Sequence, residues 1–226
     1  MIHLLVDGAD LDRDSVEVEG ADYRHLFRAR RLKIGDPVRL VDGRGGARWS
    51  TVAGVTAERA RLDVEGPAPT FEPARRVALF VSVVRPERAA WLVEKATELG
   101  VRELQWFVSE RTSRSFTERA VARQARVAKS ALEQSGGAWL PGIGAPVAPE
   151  QAGIPAGAVV LHPGAGTSLA AVRDVRTLVI GPEGGFSERE IEWFVDRGAT
   201  LAGLGPRVLR AETAAVAALA VVLAGS

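Results

Sequence analysis

One stretch, residues 177–190, constrains the fold of this chain more than any other: Thr-Leu-Val-Ile-Gly-Pro-Glu-Gly-Gly-Phe-Ser-Glu-Arg-Glu. Its apolar run 178–180 is rich in β-branched residues and too short for a helix, which predicts a buried strand that ends at Gly181. Ser187 and Glu190 have the spacing of a capping box, so a helix should begin at Ser187. The stretch therefore predicts a strand, a glycine-rich loop and a helix in succession.

The predicted loop contains three glycines, Gly181, Gly184 and Gly185, and one proline, Pro182. Glycine lets the backbone approach a bound molecule closely, and proline removes one N–H donor and stiffens the entry to the loop. The loop has neither the G-x-G-x-x-G nor the G-x-x-x-x-G-K-[ST] pattern of nucleotide-binding loops. Taken alone, it fits a ligand-binding loop and an ordinary strand-to-helix turn equally well.

A second loop of the same kind lies within residues 201–213, Leu-Ala-Gly-Leu-Gly-Pro-Arg-Val-Leu-Arg-Ala-Glu-Thr. It runs from a short predicted strand through Gly203 and Gly205 into a helix predicted over 214–224. Ligands of open α/β sheets bind beyond the carboxyl ends of the strands. Two Gly-Pro loops at neighbouring strand ends therefore predict a ligand pocket.

Residues 180–187 and 204–213 together resemble the ribosomal RNA small subunit methyltransferase E family of the SPOUT class. The resemblance implies that S-adenosylmethionine is used to methylate N3 of a uridine in small-subunit (16S) ribosomal RNA. It also implies an α/β fold, in which a C-terminal SPOUT-type α/β domain with a trefoil knot follows a small PUA-like β-barrel domain. Shorter blocks stand in the expected order at 95–101, 109–112, 133–135 and 161–163.

Residues 1–70 are predicted to form the small β-rich domain, which binds RNA in the resembled family. A helix is predicted over about 22–32, and three prolines within 66–74 favour an extended connector. The second domain is therefore predicted to cover 71–226. Strand-like runs occupy 2–6, 38–41, 49–55 and 60–64, with a turn at 42–46.

Strands and helices alternate in the predicted second domain, which indicates a mostly parallel sheet with helices on both faces. Pro86 in a first helical turn and Gly100 beyond the last turn frame the first helix. The remaining predicted elements are strands at 77–83, 101–108 and 159–161, a basic helix from about 117 to 134, and a loop over 136–157.

Composition limits the classes of function. The 226 residues are 46% hydrophobic and 25% charged, as in ordinary globular proteins. The longest apolar run, 214–224, is too short to cross a membrane, and the N-terminus shows no secretory signal, so we expect a cytoplasmic protein. A chain without cysteine has no disulfide and no thiolate nucleophile, and its scattered histidines lack ligand spacing, so no bound metal is expected.

The net charge is only +1, but acidic and basic residues are concentrated in different segments of the chain. Residues 7–19 are mostly acidic, whereas 24–48 and 111–130 are strongly basic. Such runs are often only solvated faces, but the resemblance favours RNA contact. The predicted RNA-binding residues are His25, Arg28, Arg31, Arg88, Arg111 and Arg114.

The first three of these residues are spaced to share one broad face of the predicted N-terminal helix. The chain departs from the family pattern at three positions. Arg30 stands where an apolar residue is expected, Arg88 replaces a lysine, and Gly137 replaces an arginine, which removes one expected RNA contact. Arginine keeps the charge of lysine but changes the geometry with which a phosphate is bound.

The cofactor pocket is expected where the glycine-rich loops meet the 161–163 block, because such loops expose unpaired backbone N–H and C=O groups. No G-x-G-type loop follows the first strand of the second domain, which disfavours a class I methyltransferase. Together with the resemblance, this predicts the following cofactor-binding residues: Leu161, His162, Gly181, Glu183, Gly184, Gly185, Leu204, Gly205, Val208, Leu209 and Thr213.

Methylation of uracil N3 removes an imino proton and spreads negative charge over the ring oxygens. Arg210, on the loop that enters the last helix, is predicted to stabilise that charge. Glu212 is a candidate general base, although its position in the first helical turn fits a capping or dipole role at least as well. Both residues are therefore predicted to belong to the catalytic site.

Two rival functions stay open at the level of sequence. The chain could be an RNA-binding or ribosome-assembly protein that retains the fold without activity, or an enzyme that binds another adenosine-containing ligand. The helix at 214–224 is apolar nearly all round, which further predicts that it is partly buried in a homodimer.

Overall fold

A computed structural model describes residues 1–112 and 116–224. The chain forms two compact units. The first unit comprises Met1–Glu72 together with Leu132–Leu140, and the second comprises Pro73–Ala131 and Pro141–Ser226. The sequence indicates a boundary near residue 70 but contains no signal that 132–140 packs with the first unit.

The first unit is built on a five-stranded sheet with the order β1-β3-β4-β5-β2. β1 runs parallel to β3, and the other neighbouring strands are antiparallel. Alternate residues such as Leu40, Val52 and Leu62 point into its buried core. The strands are β1 (Ile2–Leu5), β2 (Ser15–Glu19), β3 (Pro37–Val41), β4 (Ala47–Val55) and β5 (Arg59–Pro67).

Strand β2 was missed at the level of sequence. Its residues Ser-Val-Glu-Val-Glu alternate strictly, with Val16 and Val18 buried and Glu17 and Glu19 exposed. Glutamate is depleted in strands, and the surrounding acidic run concealed this alternation. β5 also extends to Pro67, so the first two residues of the predicted connector belong to a strand.

The prediction of one regular helix over 22–32 is wrong. A single α-helical turn, α1 (Gly20–Tyr23), continues as a π-helical turn, Arg24–Ala29. Tyr23, Leu26 and Phe27 are the buried residues of these two turns. The N–H of Arg30 donates to the carbonyl of His25, and Arg31 adopts a positive φ of 58° outside the helix. Arg31 therefore does not share a helical face with His25 and Arg28.

Residues 132–140 are held in the first unit by polar contacts. The guanidinium of Arg39 is fully buried and donates to the Gly136 carbonyl at 2.6 Å. One carboxylate oxygen of Glu72 accepts the N–H groups of Ala138 and Trp139. These contacts join side chains to backbone across more than 60 residues, so no local pattern could reveal them.

The second unit contains a six-stranded parallel sheet with the order β11-β9-β10-β6-β7-β8. Its core includes Phe107, Val160 and Val179. The elements are β6 (Ala78–Ser82), α2 (Pro86–Glu98), β7 (Glu103–Phe107), α3 (Glu118–Ser135, of which 132–135 belong to the first unit), β8 (Gly142–Val147), β9 (Val159–Leu161), β10 (Thr177–Ile180), α4 (Glu188–Asp196), β11 (Thr200–Ala202) and α5 (Ala211–Leu223).

Two elements differ from the sequence-based expectation. β8 lies inside the segment predicted as a loop, where glycine and proline suppress the strand signal. A Cβ atom at Gly144 would collide with the side chain of Gln105, which donates to the Ala145 carbonyl at 2.7 Å, so glycine permits this edge strand. α5 begins at Ala211 instead of 214, because Arg210 is its N-cap residue.

The strand order brings the carboxyl ends of β11, β9 and β10 side by side. The loops that follow these three strands are the segments the sequence singled out, after Leu161, Ile180 and Ala202. Among the described residues, no helix combines the length and the apolar character that a membrane span requires.

Candidate active site at the carboxyl ends of β9, β10 and β11

A cavity of about 290 Å³ opens where the three loops meet. This volume is at the lower end of the range of about 300–1,000 Å³ that is usual for small-molecule sites. Gly184 and Thr213 do not line it. The cavity brings together the other nine predicted cofactor-binding residues: Leu161, His162, Gly181, Glu183, Gly185, Leu204, Gly205, Val208 and Leu209.

The loop between β10 and α4 is held by its own hydrogen bonds. Ser187 Oγ accepts the N–H of Glu190 at 3.1 Å, and Glu190 Oε2 accepts the N–H of Ser187 at 2.8 Å, which confirms the predicted capping box. Gly185 has a φ of 70° and donates to the Pro182 carbonyl. A Cβ atom at Gly181 would lie 2.9 Å from the Phe186 ring, so both glycines are required by the path of the loop.

The loop between β11 and α5 also lines the cavity. Its first residue, Gly203, donates to the Thr167 carbonyl and accepts from the Leu169 N–H, both at 2.9 Å. Val208 is 79% exposed and Leu209 36% exposed, although both are apolar. Apolar side chains that line an open cavity are suited to contact a flat, weakly polar ring.

A second cavity of about 380 Å³ adjoins the first, and Arg111, Pro182 and Glu183 line both. It brings together the predicted residues Arg88, Arg111 and Arg210, which come from the first turn of α2, the loop after β7 and the N-cap of α5. Arg85 also lines it and was not predicted, although its position directly before Pro86 at a helix start was a usable signal. Four of its eight lining residues are arginines and one is Glu183, so the cavity is suited to bind an anion through the arginines that Glu183 does not engage.

Arg88 is held between two carboxylates. Its Nη1 lies 2.9 Å from Glu183 Oε1, and its Nε lies 3.3 Å from Glu212 Oε1. Glu212 is 7% exposed and lines neither cavity, and its Oε2 is buried without a hydrogen-bond partner in the described part of the chain. Arg210 and Arg85 differ, since neither side chain has a polar partner within residues 1–112 and 116–224.

The other predicted RNA-binding residues are distributed over both units. Arg111 Nη1 donates to the Gly184 carbonyl at 3.0 Å, and Arg114 lies outside the described residues. In the first unit, His25, Arg28 and Arg31 are all exposed. The Arg28 guanidinium donates to the Ala57 carbonyl at 3.0 Å and lies 5.9 Å from the Tyr23 ring centroid. No group of three or more potential metal-ligating side chains occurs among the described residues.

Family models match both units of the chain. A model of the RNA methyltransferase domain covers residues 71–223, and a model of the RNA methyltransferase PUA domain covers 18–65. The chain belongs to the RNA methyltransferase domain family. Membership confirms the expected fold class, an α/β methyltransferase domain preceded by a PUA-type domain. The trefoil knot stays a prediction.

Relatives of known name extend the match along the chain. "Ribosomal RNA small subunit methyltransferase E" of Synechocystis is 28% identical over 229 residues, which cover 96% of this chain and 75% of the relative. The protein of the same name from Mycobacterium tuberculosis is 29% identical over 223 residues, which cover 91% of this chain and 84% of the relative.

Two solved structures are similar in fold along nearly the whole chain. Ribosomal RNA small subunit methyltransferase E of Neisseria gonorrhoeae, bound to S-adenosylmethionine, has a TM-score of 0.85 and 26% identity, with 97% of this chain and 94% of that chain covered. A putative methyltransferase of Legionella pneumophila, also with bound S-adenosylmethionine, has the same TM-score and identity over 99% and 97% of the chains.

Proposed function

We propose that this chain transfers a methyl group from S-adenosylmethionine to N3 of a specific uridine in small-subunit ribosomal RNA. The observation that carries the proposal is the pair of adjoining cavities, one rich in glycine and one lined by arginine, with Arg111, Pro182 and Glu183 common to both. A transferase needs its donor and its acceptor to meet, and the shared wall supplies such a junction. The names of the relatives and the cofactor in two similar structures agree with it.

The residues of the first cavity fit S-adenosylmethionine. Val208 and Leu209 present apolar surface for a purine ring, and the backbone groups around Gly181, Leu204 and Gly205 can bond to polar atoms of the nucleoside. When bound, the cofactor supplies a methyl group on a cationic sulfur. The chain's part is to hold that group at the shared wall and to exclude water from it.

The second cavity fits the target nucleotide. Arg85, Arg111 and Arg210 can contact phosphate oxygens or the uracil oxygens on which negative charge develops. Arg210 is the proposed charge-stabilising residue, because its exposed side chain has no polar partner among the described residues. Outside this cavity, we propose that His25, Arg28 and Arg31 of the PUA-type unit bind the RNA backbone.

Glu212 has two possible roles. A general base must reach the imino proton, but the Glu212 carboxylate lines neither cavity. For a structural role the Glu212 carboxylate does not have to move, since it already contacts Arg88 at 3.3 Å and lies in the first turn of α5. We therefore favour Glu212 as the residue that fixes Arg88, and the proton acceptor is left to solvent or to the RNA.

The assembly and location follow from the same proposal. Along α5, the residues that are not buried include Ala217, Ala220 and Val221, and all three are apolar. This strip supports a homodimer, because an apolar helix face is rarely left in water. A ribosomal RNA substrate would be met in the cytoplasm. Sedimentation at micromolar concentration tests the dimer, and a monomer would contradict it.

Calorimetry with S-adenosylmethionine, S-adenosylhomocysteine and ATP, followed by nucleoside analysis of incubated small-subunit RNA, tests the function. The proposal expects binding of the first two ligands and N3-methyluridine in the RNA. Binding without methylation would support the non-catalytic RNA-binding alternative, and preference for ATP would support the other adenosine-ligand alternative.

A matched pair of variants ties the binding to the cavity. Leu209→Asp places a carboxylate on the cavity wall and should weaken S-adenosylmethionine binding at least tenfold, or about 1.4 kcal/mol. Val195→Asp is the control, because Val195 is 48% exposed and lines neither cavity. An equal loss of affinity in both variants would show that the cofactor does not bind in this cavity.

A further inference from the structure

One buried carboxylate joins the two loops that flank the cavities. Glu190 is 7% exposed and accepts two backbone N–H groups, that of Ser187 at 2.8 Å on Oε2 and that of Glu110 at 3.0 Å on Oε1. The first bond closes the capping box of α4. The second reaches across 80 residues to the loop that follows β7. Capping the helix explains only the first of these bonds.

Two further contacts join the same loops. Arg111 Nη1 donates to the Gly184 carbonyl at 3.0 Å, and a Cβ atom at Gly184 would lie 3.7 Å from Arg111 Cβ, so the two backbones pass close together. The ring of Phe107, the last residue of β7, stacks on the ring of Phe186 in the cofactor loop, with centroids 6.2 Å apart. The segment that carries Arg111 and the cofactor loop are therefore fastened at three points.

We propose that Glu190 is a positioning residue that couples RNA binding at Arg111 to cofactor binding at residues 181–185. This inference rests on the proposed function. A ligand that orders the loop after β10 also fixes Glu110 and Arg111 through Glu190, so the second ligand loses less conformational entropy when it binds. Linkage makes the effect reciprocal, and each ligand should raise the affinity of the other by the same factor.

The coupling requires both oxygens of a carboxylate. The two N–H donors bond to different oxygens, Ser187 to Oε2 and Glu110 to Oε1, and a carboxylate presents an acceptor at both positions. Glutamine has the same shape but one acceptor oxygen and one NH₂ group, which cannot accept a hydrogen bond. Glu190→Gln therefore disconnects either Ser187 or Glu110 while leaving the packing of α4 unchanged.

The test measures the affinity of S-adenosylhomocysteine with and without transcribed small-subunit ribosomal RNA. In the wild-type chain the RNA should tighten this binding at least about fivefold, the lower bound of ordinary allosteric coupling. Glu190→Gln should reduce the ratio to less than about twofold, with each ligand still able to bind alone.

Two controls separate coupling from a loss of charge or of capping. Glu188→Gln removes an exposed carboxylate from the same helical turn and should keep the wild-type ratio. Ser187→Ala removes the hydroxyl half of the capping box without touching Glu110, and it should lower the thermal midpoint but keep the ratio.

The outcomes distinguish this inference from the proposed function. If both ligands bind the wild-type chain but independently, or if Glu190→Gln keeps the wild-type ratio, the coupling is refuted and the function stands. If neither ligand binds the wild-type chain, the proposed function fails. Should Glu190→Gln not fold, amide hydrogen exchange on the wild-type chain decides: added S-adenosylhomocysteine should slow exchange in residues 109–112, and unchanged exchange overturns the inference.

Discussion

Replacing Arg88 by methionine removes the cation that contacts the buried carboxylate of Glu212. Arg88 Nε lies 3.3 Å from Glu212 Oε1, and the two side chains are 25% and 9% exposed. The second partner, Glu183, has a side chain that is 46% exposed. Methionine retains most of the apolar contact of the arginine stem, so the substitution chiefly leaves a charge without its partner.

The expected loss of stability follows from these exposures. Removing one partner of a fully buried ion pair costs about 3–5 kcal/mol, whereas an exposed pair contributes about 0–1 kcal/mol. The Glu212 side chain is mostly buried, whereas water reaches part of the Arg88 side chain. The expected cost of removing Arg88 is therefore intermediate, roughly 2–3 kcal/mol. For a chain of this length, the thermal midpoint should fall by roughly 4–12 °C.

Urea denaturation of a double-mutant cycle measures this quantity. In a Glu212→Gln background the carboxylate charge is absent, so Arg88→Met should then cost less than about 1 kcal/mol. Arg85→Met is the matched control: it lines the same cavity, but its side chain has no polar partner in the described part of the chain, and its cost should stay below about 0.5 kcal/mol.

The salt dependence of RNA binding tests the role of Arg88 in a second way. Arg85→Met should lower the salt slope of RNA binding by about one unit, whereas Arg88→Met should leave it unchanged. The sequence predicts Arg88 as an RNA contact. If Arg88→Met lowered the slope by one unit and left stability intact, Arg88 would be an RNA contact and its structural role would be refuted.

Three further predictions address catalysis, RNA binding and pH. Arg210→Ala should lower the single-turnover methylation rate at saturating RNA by roughly 10- to 100-fold with little change in RNA affinity, and a wild-type rate would remove it from the mechanism. Arg28→Ala should lower the salt slope by about one unit, whereas Arg13→Ala, which removes an equal charge from the acidic segment, should not. Burial lowers the pKa of His3 from its ordinary 6.5, so folding favours the neutral ring and stability should fall as the pH drops below 6.5; urea midpoints of His3→Gln should fall less over that range.

The sequence predicted the elements whose signals are local. The strand at 159–161 has its predicted bounds, and the helix after Ser187 begins at its predicted capping box. Nine of the eleven predicted cofactor-binding residues line the cavity for the same reason, since glycine-rich loops at strand ends are visible in the chain itself. These features depend on residues within a few positions of one another.

The remaining features depend on pairs that are distant in sequence. Arg88 meets Glu212, and Glu110 meets Glu190, across separations that no periodicity encodes. Chemistry alone suggests that Arg88 binds phosphate, because an arginine in a basic cavity usually does. Only the positions of the two carboxylates show that its charge is already balanced. Arg85 was missed although it stands directly before Pro86, because that local signal marks the start of a helix and does not by itself indicate an anion contact.

Gly184 and Gly185 show how far two neighbouring residues of one motif can differ. In sequence they are interchangeable, and a valine at either position would be expected to block the pocket. Gly185 lines the cavity with a φ of 70°, a conformation that β-branched residues adopt only with strain. Gly184 does not line it, and an added Cβ there would meet Arg111 at an ordinary 3.7 Å. A valine at 185 therefore perturbs the backbone and the ligand site together. A small side chain at 184 perturbs only the contact with Arg111. Substitution of Gly184 is therefore the cleaner test of how the two loops are joined.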